Sequence, residues 1–125
     1  MWKLRLRRRL YAGRVAGTAL QNCWRAPLPS TSSDWRQVSF LVVDAEMSAL
    51  VVAEGELLSV GWVEVTDGAI ALSSARHYLV KAEKSVGQSA TIHHLRDCEL
   101  TGAASGGEIL GRFLEAAAGK VLVFH

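Results

Sequence analysis

The sequence predicts an α/β fold built on a mixed sheet, with elements in the order β-β-β-α-β. Three observations carry this expectation. Val38-Ser39-Phe40-Leu41-Val42-Val43 is a short, β-branched and nearly continuous apolar run, the pattern of a central strand covered on both faces. Thr66-Asp67-Gly68 separates two further strand-like segments with the Asp-Gly signature of a hairpin. Between Glu108 and Ala118, apolar residues recur at helical spacing before Gly119 and another apolar run.

Taken in chain order, the elements follow a basic leader. Met1 to Arg25 contains no acid, and its run Lys3-Leu4-Arg5-Leu6-Arg7-Arg8-Arg9 suits phosphate, an anionic membrane surface or an acidic partner. A secretory signal needs an apolar core of about 7–15 residues. Arg14 and two glycines break Leu10–Leu20, which excludes that reading. The plainest expectation is a solvated, partly helical arm whose Leu6, Leu10 and Val15 dock on the domain, with an organelle transit peptide as the minor alternative. Pro27-Leu28-Pro29-Ser30-Thr31-Ser32-Ser33 reads as a linker, because its prolines discourage helix and its hydroxyls compete for backbone hydrogen bonds. The expected organisation is therefore a basic arm over 1–26, a linker over 27–36 and a domain over 37–125.

Within the domain, the first strand is expected to stop at Asp44. The second covers Leu57–Val65 and the third Ile70–Val80, with Leu72, Tyr78, Leu79 and Val80 among its packing residues. The helix over 108–118 should bury Ile109, Leu110, Phe113 and Leu114, and Lys120–Phe124 should form another core strand. A strand so apolar wants cover that His125 does not provide, so the sequence reads as the front portion of a larger fold.

Composition narrows the class. Of 125 residues, 50% are hydrophobic, 21% are charged and two are proline, which argues against a disordered or low-complexity chain. No stretch approaches the ~18–20 apolar residues of a spanning helix. Cys23 and Cys98 are too few for a disulfide scaffold and wrongly spaced for a zinc knuckle, so reduced thiols and a cytoplasmic setting are expected. The net charge of +2 conceals a split. Residues 1–36 carry eight basic side chains against one acid, a net of +7, and the rest carry six against eleven, a net of −5.

Chemistry is expected at Asp44 and Glu46. They follow the first strand, where open α/β sheets usually present their sites, and their i, i+2 spacing puts both side chains on one face of the sheet. Two close carboxylates repel unless a cation or a proton sits between them. Mg²⁺ or Mn²⁺ suits an all-oxygen set. Alone, Asp-x-Glu also fits a solvated pair at a strand end.

The segment Phe40-Leu41-Val42-Val43-Asp44-Ala45-Glu46-Met47-Ser48-Ala49-Leu50, with Glu56-Leu57-Leu58-Ser59-Val60-Gly61, resembles the first motif of the DEDD-type 3′–5′ exonucleases. The likeness is strongest to the epsilon subunit of DNA polymerase III, ribonuclease T and oligoribonuclease. It continues through Ala90-Thr91-Ile92-His93-His94-Leu95-Arg96-Asp97 and Val121-Leu122-Val123-Phe124-His125, spanning roughly residues 38–125. It implies a ribonuclease H-like fold and two-metal hydrolysis of the terminal phosphodiester at a 3′ end of DNA or RNA. Asp44 and Glu46 would be the catalytic metal ligands, Met47, Ser48, Ala49 and Leu50 would lie along the terminal nucleotide, and a polymerase subunit is a candidate partner.

The sequence departs from the family pattern at Ala49 and His94, each standing where the family often carries glycine. The second-motif Asp and the third-motif His and Asp do not occur in these residues, so the chain as given is expected to hydrolyse nucleic acid slowly or not at all. His125 matches the residue before the second motif and is not itself a family ligand. His77 and His93 read as surface and loop-anchoring residues, and Asp97 and Glu99 as helix-capping acids. The rival expectation is a non-catalytic module that binds nucleic acid or a partner through its basic arm.

Overall fold

The computed structural model describes residues 2–27, 29–48, 55–81 and 103–125. Helix α1 (Trp2–Val15) leads into the short helix α2 (Gln21–Arg25), and a 3-10 turn covers Trp35–Gln37. The strands β1 (Phe40–Met47), β2 (Leu57–Thr66) and β3 (Ala69–Leu79) precede helix α3 (Gly106–Ala117) and strand β4 (Val121–Phe124). They make an α/β structure with a mixed four-stranded sheet in the order β3-β2-β1-β4. β2 pairs antiparallel with both β1 and β3, and β4 pairs parallel with β1. Among the described residues, no helix is long and apolar enough to cross a membrane.

The hairpin turns where its sequence dictates. Thr66 pairs with Ala69, and Asp67 and Gly68 both take positive φ (53° and 72°), the backbone of a type I′ turn. The tip is supported from outside, since a Cβ added at Gly68 would lie 3.5 Å from Arg36 and 3.6 Å from Trp35. The end of the expected linker thus packs on the hairpin. Asp34 caps the 3-10 turn by accepting the Arg36 N–H.

β1 runs three residues beyond the expected stop at Asp44. Its length is set by pairing with β2, which continues through Asp44–Gly61, Ala45–Val60 and Glu46–Ser59. Hydrophobicity ends at Val43, but backbone hydrogen bonds do not. Nor is β1 buried on both faces: Leu41 and Val43 are buried, whereas Phe40 and Val42 on the other side are half-buried.

The core lies between the sheet and α3. Leu41, Val43, Val60, Trp62 and Val80 pack with Ile109 and Ala117 of the helix. Trp62 anchors it, with its ring 5.1 Å from Tyr78 and 5.8 Å, edge-on, from Phe113. α3 begins two residues before the expected Glu108. Ser105 Oγ accepts the Glu108 N–H, and the Glu108 carboxylate accepts the Ser105 N–H, a capping box that carries the helix back through Gly106 and Gly107.

Three expected packing positions are corrected. Leu110 is exposed, because the buried line of α3 runs through Ile109, Phe113 and Ala117. Leu72 is also exposed. It lies where β3 bulges away from β2: Ala71 pairs with Glu64 and Arg76 with Trp62, so five steps on β3 oppose two on β2. β4 forms an edge of the described sheet rather than its core, with all four of its residues exposed. Val80 ends the expected third strand as an isolated bridge to Ala104.

The leader docks differently from the expectation. Leu6 and Leu10 remain 49% and 69% exposed, and only Val15 is half-buried. Arg8 makes the attachment. Its guanidinium donates to the carbonyls of Cys23 (2.7 Å) and Ala26 (2.6 Å), which the C-terminus of α2 leaves without helical partners. The Trp24 indole N–H donates back to the Arg8 carbonyl at 2.7 Å. The Cys23 thiol then ties α2 to α3 by donating to the Leu114 carbonyl at 2.7 Å. Polar groups with fixed directions, rather than Leu6 or Leu10, make this attachment.

Candidate functional site

The sheet has two unlike faces. Leu41, Val43 and Trp62 point toward α3, so alternation along β1 sends Phe40, Val42, Asp44 and Glu46 to the opposite face. Register fills in the neighbours. Asp44 lies beside Gly61 on β2, and Gly61 lies beside His77 on β3. A Cβ at Gly61 would lie 3.6 Å from the His77 ring and 3.5 Å from the Arg76 carbonyl, so glycine keeps the surface between Asp44 and His77 low.

On the other side, β4 delivers His125. Its N–H donates to the Val43 carbonyl at 3.2 Å, extending the parallel register past Phe124. Its Nδ1 then lies 3.8 Å from Asp44 Oδ1. Both side chains are largely exposed, at 95% and 62%, so this contact holds neither group rigidly. A row of His77, Gly61, Asp44 and His125 therefore crosses the four strands, with Glu46 and Ser59 one step further along.

The end of β1 is shaped by a register shift between Glu46 and Met47, where Ser59 pairs with Glu46 but Leu57 pairs with Met47. Ser48 closes the strand. Its N–H donates to the Glu56 carbonyl at 2.9 Å, and its Oγ accepts the Glu56 N–H at 2.8 Å. Met47 and Ser48 are both half-buried. The bulge and the serine clamp place residues 47–48 immediately beside the carboxylates.

The structure thus places Asp44 and Glu46 on one sheet face at the end of β1, with Met47 and Ser48 following them in the chain. Ala49 and Leu50 lie outside the described residues, as do His93, His94, Asp97, Glu99 and the whole 90–97 segment. His77 is exposed on β3, as a surface reading of it requires. The approach of His125 to Asp44 was not foreseen. No motif marks it, and only the parallel register of β4 beside β1 creates it.

Two carboxylates are a fitting but partial donor set for Mg²⁺ or Mn²⁺, which often bind through one or two protein carboxylates together with water and substrate phosphate. Asp44 and Glu46 sit about 6.5–7 Å apart along the strand, near enough to share one such cation. Among the described residues, no group of three or more His, Cys, Asp or Glu side chains is placed to hold a metal ion. Compared with known proteins, the chain matches no protein-family model and no curated protein sequence.

Proposed function

We propose that this chain carries the first metal-binding motif of a DEDD-type 3′–5′ exonuclease on a ribonuclease H-like sheet. The observation that carries the reading is the joint placement of Asp44 and Glu46 on one open face, at the end of a strand flanked by an antiparallel and a parallel neighbour. The mixed sheet is compatible with that fold class. Gly61, which carries no side chain, lies between Asp44 and His77 on that face.

In this reading Asp44 and Glu46 bind divalent cations, which when bound supply an activated water and stabilise the departing 3′ oxygen. The protein's own contribution is positional. β1 fixes both carboxylates on one face, and the register shift at Glu46/Met47 falls where residues 47–48 follow them. Met47 and Ser48, continuing into Ala49 and Leu50, lie along the terminal nucleotide of a DNA or RNA 3′ end.

Mn²⁺ binding followed by electron paramagnetic resonance tests the proposal directly. The 125-residue chain is expected to bind Mn²⁺, and Asp44→Asn or Glu46→Gln is expected to lower affinity at least tenfold, the order of effect expected when a group that orients or supplies a ligand is lost. Unchanged binding in both variants would overturn the assignment. Removal of nucleotides from 3′-labelled single-stranded DNA is expected to be slow, because these residues supply two of the four acidic groups that the resemblance implies. Any turnover should vanish in Asp44→Ala.

A further inference from the structure

Helix α1 is attached through Arg8 on one side and presents a pair of leucines among arginines on the other. Arg8 and Val15 are half-buried, and Arg8 is fixed to the end of α2. Leu4 and Tyr11 lie four before and three after Arg8, on that same side, and remain 45% and 39% exposed. Leu6 and Leu10, four residues apart, line up on the far side and stay 49% and 69% exposed. Arg7 and Arg14 flank this pair on one edge and Arg5 and Arg9 on the other. An open recess of about 490 Å³ lies along the Arg5/Arg9 edge, lined among the described residues by Arg5, Leu6, Arg8 and Arg9.

We propose that this outward side of α1 docks on the surface of an anionic phospholipid bilayer. Charge complementarity carries the first half of the argument: the helix has no acidic residue, and the first acid in the chain is Asp34. Polyanionic phosphate in general would satisfy that half. The leucines decide between partners. A nucleic-acid backbone would set Leu6 and Leu10 against a polar, charged surface and gain nothing from them. A bilayer interface takes the two leucines among the upper acyl chains, while the flanking arginines bury their stems and keep their guanidinium groups at the lipid phosphates. With 14 residues, α1 is about 21 Å long, too short to cross a hydrocarbon core of about 30 Å. It lies in the plane of the interface. The anchored side, through Arg8 and Trp24, holds the rest of the chain beneath it.

Flotation of the 125-residue chain with phosphatidylcholine vesicles, with and without about 30 mol % phosphatidylserine, tests this. Binding is expected on the anionic vesicles and to be at least tenfold weaker on phosphatidylcholine alone. L6S/L10S is expected to weaken binding about tenfold, and R7E/R9E to abolish it. Neither pair touches Arg8, and both variants should melt at the wild-type temperature. Binding lost in R7E/R9E but unchanged in L6S/L10S would overturn the proposal, as would absence of binding to anionic vesicles. A single-stranded oligonucleotide that binds more tightly than the vesicles, with an affinity indifferent to L6S/L10S, would assign the arm to nucleic acid instead and equally overturn it.

Discussion

The two faces of the sheet are made from the same strands yet do different work. Toward α3, Leu41, Val43, Val60 and Trp62 are buried beneath Ile109 and Ala117. On the opposite face Phe40 and Val42 are half-buried and Ile70 is 62% exposed, and the row of Asp44, Gly61, His77 and His125 crosses it. The α3 side specifies the fold through close packing. The other side presents carboxylates that strand alternation puts on one face. In this protein, stability and the candidate chemistry occupy opposite sides of one layer.

The largest expected effect separates those sides by stability. Trp62→Ala removes the ring that joins Tyr78 to Phe113 and should cost about 3–5 kcal/mol in urea unfolding. Val42→Ala, on the open face of the same sheet, should cost about 1 kcal/mol. Equal losses would show that both faces are packed alike.

Next comes the cap of the helix that seals the core. Ser105→Ala should destabilise by about 1 kcal/mol, since Ser105 Oγ no longer accepts the Glu108 N–H. Hydrogen bonds from the Ser105 hydroxyl and then its backbone N–H hold the Glu108 carboxyl below its ordinary value. A depressed carboxyl stabilises the folded chain above its unfolded pKa. That contribution is lost as the pH falls through the ordinary glutamate value of about 4.3 and below. Wild type should therefore lose more stability than Glu108→Gln over that acid range.

A smaller effect is expected where the arm meets the core. Burial pushes the Cys23 thiol up, against the opposing pull of Arg8 and Lys120. A raised thiol pKa stabilises the folded state below the unfolded value and ceases to do so as the pH climbs through the folded one. Stability should accordingly decline at alkaline pH in wild type and be flatter in Cys23→Ala. Iodoacetamide should modify native Cys23 more slowly than the same residue in the denatured chain.

Smallest of all is the stability change at the carboxylates. Asp44→Asn removes an exposed pairing with His125 and should shift unfolding by less than about 0.5 kcal/mol. The same variant should lose Mn²⁺ binding. A large loss of stability would place Asp44 among the residues that hold the sheet together.

Much of the architecture was legible because it rests on local rules. Asp67-Gly68 demanded positive φ at both positions, and the hairpin turns there. The stripe through Ile109 and Phe113 located α3. Its true start was also readable, since Ser105 and Glu108 form the Ser-x-x-Glu pattern of a capping box. The expected roles of Leu6, Leu10, Leu72 and Leu110 failed together for one reason. Hydrophobicity says that a residue prefers burial, but not whether a neighbour arrives to bury it.

By itself, the sequence determined the hairpin turn, the helix and its cap, and the shared face of Asp44 and Glu46, because backbone dihedral preference and the two-residue period of a strand are local properties. The tertiary structure alone decided that β1 continues to Met47, that β4 lies parallel beside it and brings His125 to Asp44, and that Arg8 rather than Leu6 or Leu10 attaches the arm. Each of these depends on which distant backbone supplies a hydrogen-bond partner, and that choice is made only when the chain is packed.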